Sequence, residues 1–308
     1  MRLFGLGVGL SALLALSGCA RVRVTTAIQA NGSWTRTVMF TGQDKKDLQV
    51  TPTLEDTFVI PSGAGWKSKE EKKDGDHVLT LERTLAAGAS LQGDVSVKAG
   101  AGGKLRLTNE VRVTPAGPHR FEYRETIRWK GEPGEMLGDI KPADLSEIKA
   151  ALPKPLGTDA NARALVDKMA VLAIPMLFGP GDPLVAMGLL HPDLAARRAG
   201  QRIGGLLIQA LGDQFGDQLS PAQRKEVARQ LIQGLGFTKV TAPDPAAATS
   251  SKKDSGSLTP LMFIVKTPGR VVSSNGEVDE LTGEVFWALF DAAATFQDVV
   301  LTAVVEVP

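Results

Sequence analysis

Residues 105 to 129 constrain the fold more than any other stretch of the chain. Leu105, Leu107, Val111 and Val113 alternate with Arg106, Thr108, Glu110 and Arg112. Phe121, Tyr123, Ile127 and Trp129 alternate with Glu122, Arg124, Thr126 and Arg128. A period of two sends successive side chains to opposite faces of a strand, so each segment reads as a strand buried on one face and solvated on the other. Pro115-Ala116-Gly117-Pro118 stands between them as the turn of an antiparallel hairpin. Pairing Leu105 with Trp129 and Val113 with Phe121 matches apolar to apolar throughout and sets Asn109 opposite Glu125 on the apolar face. A polar group buried without a partner costs about 1–3 kcal/mol. Asn109 and Glu125 are therefore either a satisfied structural pair or the polar spot of a ligand pocket.

The flanking sequence extends this reading to an α+β fold. Val22, Val24 and Ile28 share one face of a first strand, Asn31-Gly32 is hairpin-turn chemistry, and Trp34, Val38 and Phe40 share one face of a second strand. Residues 43 to 57 are polar and irregular. Residues 64 to 85 suggest a hairpin turning at Lys73-Asp74-Gly75-Asp76, and residues 89 to 97 a further strand ending at Gly100 to Gly103. Between residues 142 and 236 the apolar period becomes helical. The three sets are Leu165, Val166, Met169, Ala170, Leu172, Ala173, Met176 and Leu177, then Ile203, Leu206, Leu207, Ala210, Leu211 and Phe215, then Val227, Leu231, Ile232 and Leu235. Pro175 is expected to kink or end the first of these helices, and Ser220-Pro221 to open the third. Residues 242 to 257 are low in complexity, rich in Ala, Ser and Pro. Strands return at Leu261–Val265, Val285–Leu289 and Val299–Val307.

The expected organisation is thus a β-rich part over 19–141, a helical insertion over 142–241, a flexible loop over 242–257, and C-terminal strands over 258–308 that complete one antiparallel sheet.

The first eighteen residues form a separate signal. Arg2 is followed by an apolar run from Leu3 to Leu16 and by Ser17-Gly18-Cys19. The run is short of the roughly 20 apolar residues that span a bilayer. Leu16-Ser17-Gly18-Cys19 resembles the lipobox of bacterial lipoproteins. That resemblance implies cleavage between Gly18 and Cys19, acylation of the Cys19 sulfur and of the new N-terminus, and membrane attachment through those chains. Two or more acyl chains make such anchoring durable. The single cysteine of the chain accords with this, since it leaves no thiol for an internal disulfide. Ala20 after the cysteine resembles the outer-membrane-sorted type, facing the periplasm if the host is Gram-negative. Without residues 1–18 the chain carries 34 basic and 34 acidic residues, so nothing draws it to nucleic acid.

A second resemblance concerns the C-terminal fifty residues. Pro268-Gly269, then Asn275-Gly276, then a strand carrying Trp287 resembles the LppM-type domain of bacterial lipoproteins. It implies a lipid-anchored α+β envelope domain and transfers no chemistry. Taken as residues alone, the two pairs are turn chemistry.

Motifs for catalysis are incomplete. His77, His119 and His191 stand in no metal-ligand spacing, and no cofactor or metal is expected. Ser146 and Lys149 match Ser-x-x-Lys without the accompanying Ser-Asp-Asn and Lys-Thr-Gly elements. Gly100 to Lys104 fails as a phosphate loop. Asp74 and Asp76 near Glu70 and Glu71 read as a charged hairpin tip, offset by neighbouring lysines. The leading expectation is a non-enzymatic, lipid-anchored envelope protein that binds or organises a partner, lipid or protein, at the membrane surface. A carrier of an amphiphile held between sheet and helices is the second reading, and a hydrolase of unrecognised type the third.

Overall fold

Thr26 to Arg36 shows how local sequence builds the sheet. Gly32 lies in the left-handed region at φ 78°, the conformation that a tight hairpin turn demands and glycine tolerates. Gly32 N–H closes the turn by donating to the Gln29 carbonyl. The computed structural model describes residues 20–43, 54–73, 76–98, 103–131, 145–178, 192–234 and 259–308. Gly18, Cys19, Asp74, Gly75, Gly100, Met187, His191, Leu235 and the 242–257 loop lie outside the described residues.

In chain order the elements are β1 (Arg21–Ile28), β2 (Trp34–Gln43), α1 (Leu54–Thr57), β3 (Lys67–Lys73), β4 (Asp76–Leu85), β5 (Ser90–Gln92), β6 (Val97–Lys98), β7 (Leu105–Gly117) and β8 (Arg120–Trp129). The helices α2 (Ser146–Ala151), α3 (Asp159–Phe178), α4 (Pro192–Phe215) and α5 (Pro221–Gly234) follow. The strands β9 (Pro260–Lys266), β10 (Arg270–Ser274), β11 (Glu277–Val278), β12 (Val285–Phe290) and β13 (Val299–Glu306) end the chain. The fold is α+β. The chain divides into two compact units, one of helices and one of strands.

The strands form two sheets where the sequence suggested one. The first has the order β11-β12-β9-β1-β2-β4-β3. The second has the order β10-β13-β8-β7-β5, with β6 also on β7. Strands before and after the helices share both sheets, since β9 pairs with β1 and β13 with β8. The β1–β9 pair is parallel, unlike the antiparallel neighbours expected throughout. Parallel partners need a long crossover, and the whole chain from β2 to α5 lies between β1 and β9. Alternation reveals that one face is buried but not what buries it. Here the apolar faces of the two sheets close on each other: Val24, Val38, Phe263 and Trp287 of the first sheet, and Val111, Ile127, Leu301 and Val305 of the second, are all sealed from solvent.

The β7–β8 register is offset by two residues from the expected one. Leu107 pairs with Trp129, Val111 with Glu125 and Val113 with Tyr123, so Asn109 faces Ile127 and is diagonal to Glu125. The reason lies in the turn. Pro115 and Gly117 belong to β7, with a bulge between them, and the chain reverses at Pro118-His119. His119 takes the left-handed φ of 55°. Pro115 is tolerated because β5 pairs only with Glu110 to Arg112, which leaves the Pro115 end of β7 without a strand neighbour on that side.

The two ends of this strand unit differ. One end collects the start of β1, where Arg21 pairs with Thr41. It also holds the start of β9 beside the end of β12, Pro260 with Phe290, and the end of β8, Ile127 with Val299. Arg106 of β7 is ion-paired there with Asp291, which follows β12. The other end holds the Asn31-Gly32 turn, against which the Phe121 ring packs, and the His119 turn, whose carbonyl accepts from Val307 N–H.

In the helical unit, Ser220 and Gln223 make a reciprocal cap: Gln223 N–H donates to Ser220 Oγ at 3.3 Å, and Ser220 N–H donates to Gln223 Oε1 at 2.9 Å. Val227, Ala228 and Leu231 of α5 are buried, as are Ile203, Leu207, Ala210 and Leu211 of α4. Gln214 Nε2 donates to the Asn161 carbonyl at 3.0 Å, tying α4 to α3. The helix α3 does not end at Pro175 but runs on to Phe178. Proline removes only its own N–H from the ladder, so the last three residues can still bond. Among the described residues no helix is long and apolar enough to cross a membrane.

Candidate functional site

The polar positions on the inward faces of the two sheets converge on one cluster. Strand periodicity puts Thr26 of β1 on the buried face between Val24 and Ile28, and Arg36 of β2 between Trp34 and Val38. Thr26 and Arg36 are register partners. On the facing sheet the same period buries Asn109 among Leu107, Val111 and Val113, and Glu125 between Tyr123 and Ile127. Asp94 arrives from the segment between β5 and β6. Gly93, at φ 72°, turns that segment inward, and its N–H donates to the Asn109 carbonyl.

Arg36 is the centre. Its Nε donates to Asp94 Oδ2 at 2.6 Å, and Nη1 to Thr26 Oγ1 at 2.8 Å and Glu125 Oε2 at 3.0 Å. Nη2 donates to Glu125 Oε1 at 2.7 Å. The fork toward Glu125 is bidentate, the strongest form of this pair. Asn109 Nδ2 donates to Asp94 Oδ1 at 2.8 Å and Glu125 Oε1 at 2.6 Å, and its Oδ1 accepts from Val95 N–H at 2.9 Å. The Tyr123 hydroxyl donates to Glu125 Oε2. Arg36, Asp94 and Glu125 side chains are wholly screened from solvent. The Tyr123 ring stacks on Trp287 with centroids 5.7 Å apart, and Trp287 Nε1 donates to Asn275 Oδ1 at 3.0 Å.

One cation thus sits between two carboxylates in the core. Burial by itself would lower the pKa of the guanidinium, but the charges of Asp94 and Glu125 outweigh it and hold Arg36 well above its ordinary value. Burial, and then the charge of Glu125, push the Tyr123 phenol well above the usual range near 10. The group is a fully hydrogen-bonded clasp between two sheets, with its donors and acceptors turned on one another. Asn109 and Glu125 belong to it as a bonded pair.

Thr26, Arg36, Asp94 and the Tyr123 hydroxyl do not emerge from the sequence reading. Arg36 has a legible signal, a charge at an inward position of the Trp34–Phe40 alternation. Thr26 has the same signal in weaker form. Asp94 has none beyond the adjacent Gly93.

The remaining sequence candidates are dispersed. His77 is on β4, its Nε2 3.7 Å from Glu70 Oε2, while His119 is in the turn at the opposite end of the sheets. Asp76 is ion-paired with Arg21 at 3.3 Å. Lys149 Nζ donates to Asp159 Oδ1 at 2.7 Å. Among the described residues no three of His, Cys, Asp and Glu are grouped to hold a metal ion.

The Pro268-Gly269 and Asn275-Gly276 pairs serve close approach, not left-handed backbone. A Cβ at Gly269 would lie 1.8 Å from the Glu306 carbonyl oxygen, and one at Gly276 2.5 Å from the Trp287 ring. Between them β10 joins the second sheet, and after Gly276 β11 joins the first. Asn275 pins that crossing, with Nδ2 donating to the Val300 carbonyl at 2.7 Å and Oδ1 accepting from Thr302 N–H at 2.9 Å.

No protein-family model matches the chain, and no curated protein does. A solved structure that is similar to it is the NMR structure of the folded domain of LppM from Mycobacterium tuberculosis. The likeness covers 94% of this chain and 91% of that chain at 9% identity, with a TM-score of 0.34.

Proposed function

We propose that this chain is a non-enzymatic, lipid-anchored protein of the cell envelope that binds or organises a partner at the membrane surface. The observation that carries the reading is the Leu16-Ser17-Gly18-Cys19 sequence behind an apolar run, followed at Arg21 by the first strand of the folded body. A leader that ends where the fold begins is what a processed and acylated N-terminus requires. The clasp around Arg36 supports the non-enzymatic part, because its polar groups are spent on joining two sheets.

The test is intact-mass and peptide analysis of the protein recovered from bacterial membranes. The expected N-terminal peptide begins at Cys19 and carries a diacylglyceryl group, and Cys19→Ser leaves the leader uncleaved and the sulfur lipid absent. A mature chain starting elsewhere with an unmodified cysteine would overturn the anchor. Separation of inner and outer membranes tests the placement suggested by Ala20. Chemical crosslinking on intact cells, read against the same cells carrying Cys19→Ser, tests the partner: a crosslinked species that depends on the anchor is expected, and its absence refutes the organising role.

A further inference from the structure

The anchor reading has a geometric consequence for the strand unit. Only Ala20 separates Cys19 from the first residue of β1. Two residues of extended chain reach at most about 7 Å. The headgroup layer on each side of a bilayer is about 5–7 Å thick. A body tethered this closely cannot stand away from the surface. The end of the sheets at which β1 begins must meet the headgroups.

That end has the side chains to do so. Arg21 exposes 58% of its side chain there. The end of β6, the start of β7 and the end of β8 bring Leu105, Lys104 and Lys130 to the same end, joined to it through Arg106 and Asp291. Leu105 is a large apolar residue left 38% exposed, and Lys104 and Lys130 are exposed beside it. Half-buried Trp129 lies there too, with the Arg106 guanidinium 5.5 Å from its ring centroid. Lysine, arginine and tryptophan together are the residues that settle at a membrane–water interface. Glu55, Glu70, Glu71, Asp76 and Asp298 share this end; Asp76 is held by Arg21 and Glu71 by Lys69. At the opposite end Glu277, Asp279, Glu280 and Glu284 cluster about the β11–β12 turn, where Lys266 is paired with Glu284, and Arg120 and Arg270 are paired with Glu306. An anionic surface attracts Arg21, Lys104 and Lys130 at the first end.

We propose that the β1-start end of the strand unit is a membrane-contact face seated on anionic phospholipid headgroups. Arg21, Lys104 and Lys130 meet the phosphates, and Leu105 reaches beneath them. The proposal rests on the lipid anchor at Cys19 and adds an orientation and a surface to it.

The experiment uses the full acylated protein in vesicles of phosphatidylglycerol and phosphatidylethanolamine bearing a headgroup-linked quencher. Because Cys19 carries lipid, one added cysteine can be labelled selectively. Leu105→Cys reports the proposed face. Leu281→Cys reports the opposite end, where Leu281 is 97% exposed. Fluorescence at position 105 should fall at least twofold, with position 281 unchanged. Equal quenching at both, or stronger quenching at 281, overturns the proposal.

A second variant separates the face from its tether. Ten Gly/Ser residues inserted between Ala20 and Arg21 add a flexible span of about 17 Å. Quenching at 105 should persist on the anionic vesicles and disappear on phosphatidylcholine or in high salt. Loss on anionic vesicles as well would show that the face has no affinity of its own, and the proposal fails. Intact mass of the same samples keeps the two readings apart. Acyl mass present with flat quenching defeats only the contact face, whereas acyl mass absent removes the anchor and the reach argument with it.

Discussion

Replacing Arg36 by Met removes the one cation that faces Asp94 and Glu125 and leaves both carboxylates sealed between the sheets. Breaking a buried ion pair by deleting one partner costs about 3–5 kcal/mol, because the remaining charge has neither water nor counterion. Here two acids lose their partner, so the upper part of that range is expected. At about 2–4 °C per kcal/mol, the melting temperature should fall by about 8–20 °C. Guanidinium unfolding followed by tryptophan fluorescence is the assay, since Trp34, Trp66, Trp129 and Trp287 all belong to the strand unit and report on it alone. The companion variant Arg36→Met, Asp94→Asn, Glu125→Gln keeps the shapes and removes the charges. It should recover a large part of the loss, a strongly non-additive result. A cost below about 1 kcal/mol for Arg36→Met, or simple additivity in the triple variant, would refute the clasp.

Tyr123 is the only tyrosine in the chain, so absorbance near 295 nm reads its phenol alone. Burial and Glu125 raise its folded pKa, so in the folded protein tyrosinate should form only well above the ordinary value near 10. That proton's contribution to stability is present below the unfolded value near 10 and lost as pH rises through the folded one. Titration with a midpoint near 10 in folded protein would contradict the burial. Gly276→Ala drives a Cβ into the Trp287 ring and should destabilise by about 1–3 kcal/mol in the same guanidinium assay; a neutral result would show that the crossing relaxes easily. Ser220→Ala removes one half of the α5 cap and should cost about 1 kcal/mol in the helical unit, measured by far-ultraviolet circular dichroism on urea unfolding. In the triple variant, amide signals of β7 and β8 should broaden or double as alternative registers become populated; a single sharp set with native hydrogen-exchange protection counts against a register role.

Much of the strand pattern was legible. The alternations at 22–28, 34–40, 105–113 and 121–129 each mark a real strand with the expected buried face, except at the start of β7, where Leu105 is exposed and Arg106, ion-paired with Asp291, is buried instead. What alternation cannot report is the partner across the core or in the sheet. The parallel β1–β9 pair joins residues more than two hundred positions apart, and no local signal specifies it. The second sheet escaped notice for the same reason, since a half-buried strand looks alike whether a helix or a sheet covers it. Arg36 was within reach, as a charge at an inward position of a clean alternation. Asp94 was not, because it lies in an irregular segment between strands of three and two residues. The glycines at 269 and 276 were legible as necessary but not for their reason, which depends on Glu306 and Trp287 arriving from later strands.

The register of β7 and β8 explains what charge contributes to a core that apolar side chains already fill. Sliding β8 by two residues returns every inward side chain to the inward face, so apolar burial barely changes between the expected and the observed pairing. The slide does move Glu125 about 7 Å along β7. Arg36 reaches Asp94 through Nε and Glu125 through both terminal nitrogens, and Asn109 bonds both acids at once. A displacement of 7 Å is more than twice a hydrogen-bond length, so one carboxylate would be stranded. The penalty for a buried unpaired charge then falls on the wrong register alone. Hydrophobic alternation chooses the face, the Pro118-His119 turn sets the count, and the ionic clasp makes the neighbouring count unfavourable. A buried Arg between two acids therefore serves specificity here more than net stability, which is why neutralising all three is expected to cost little in free energy and more in uniqueness.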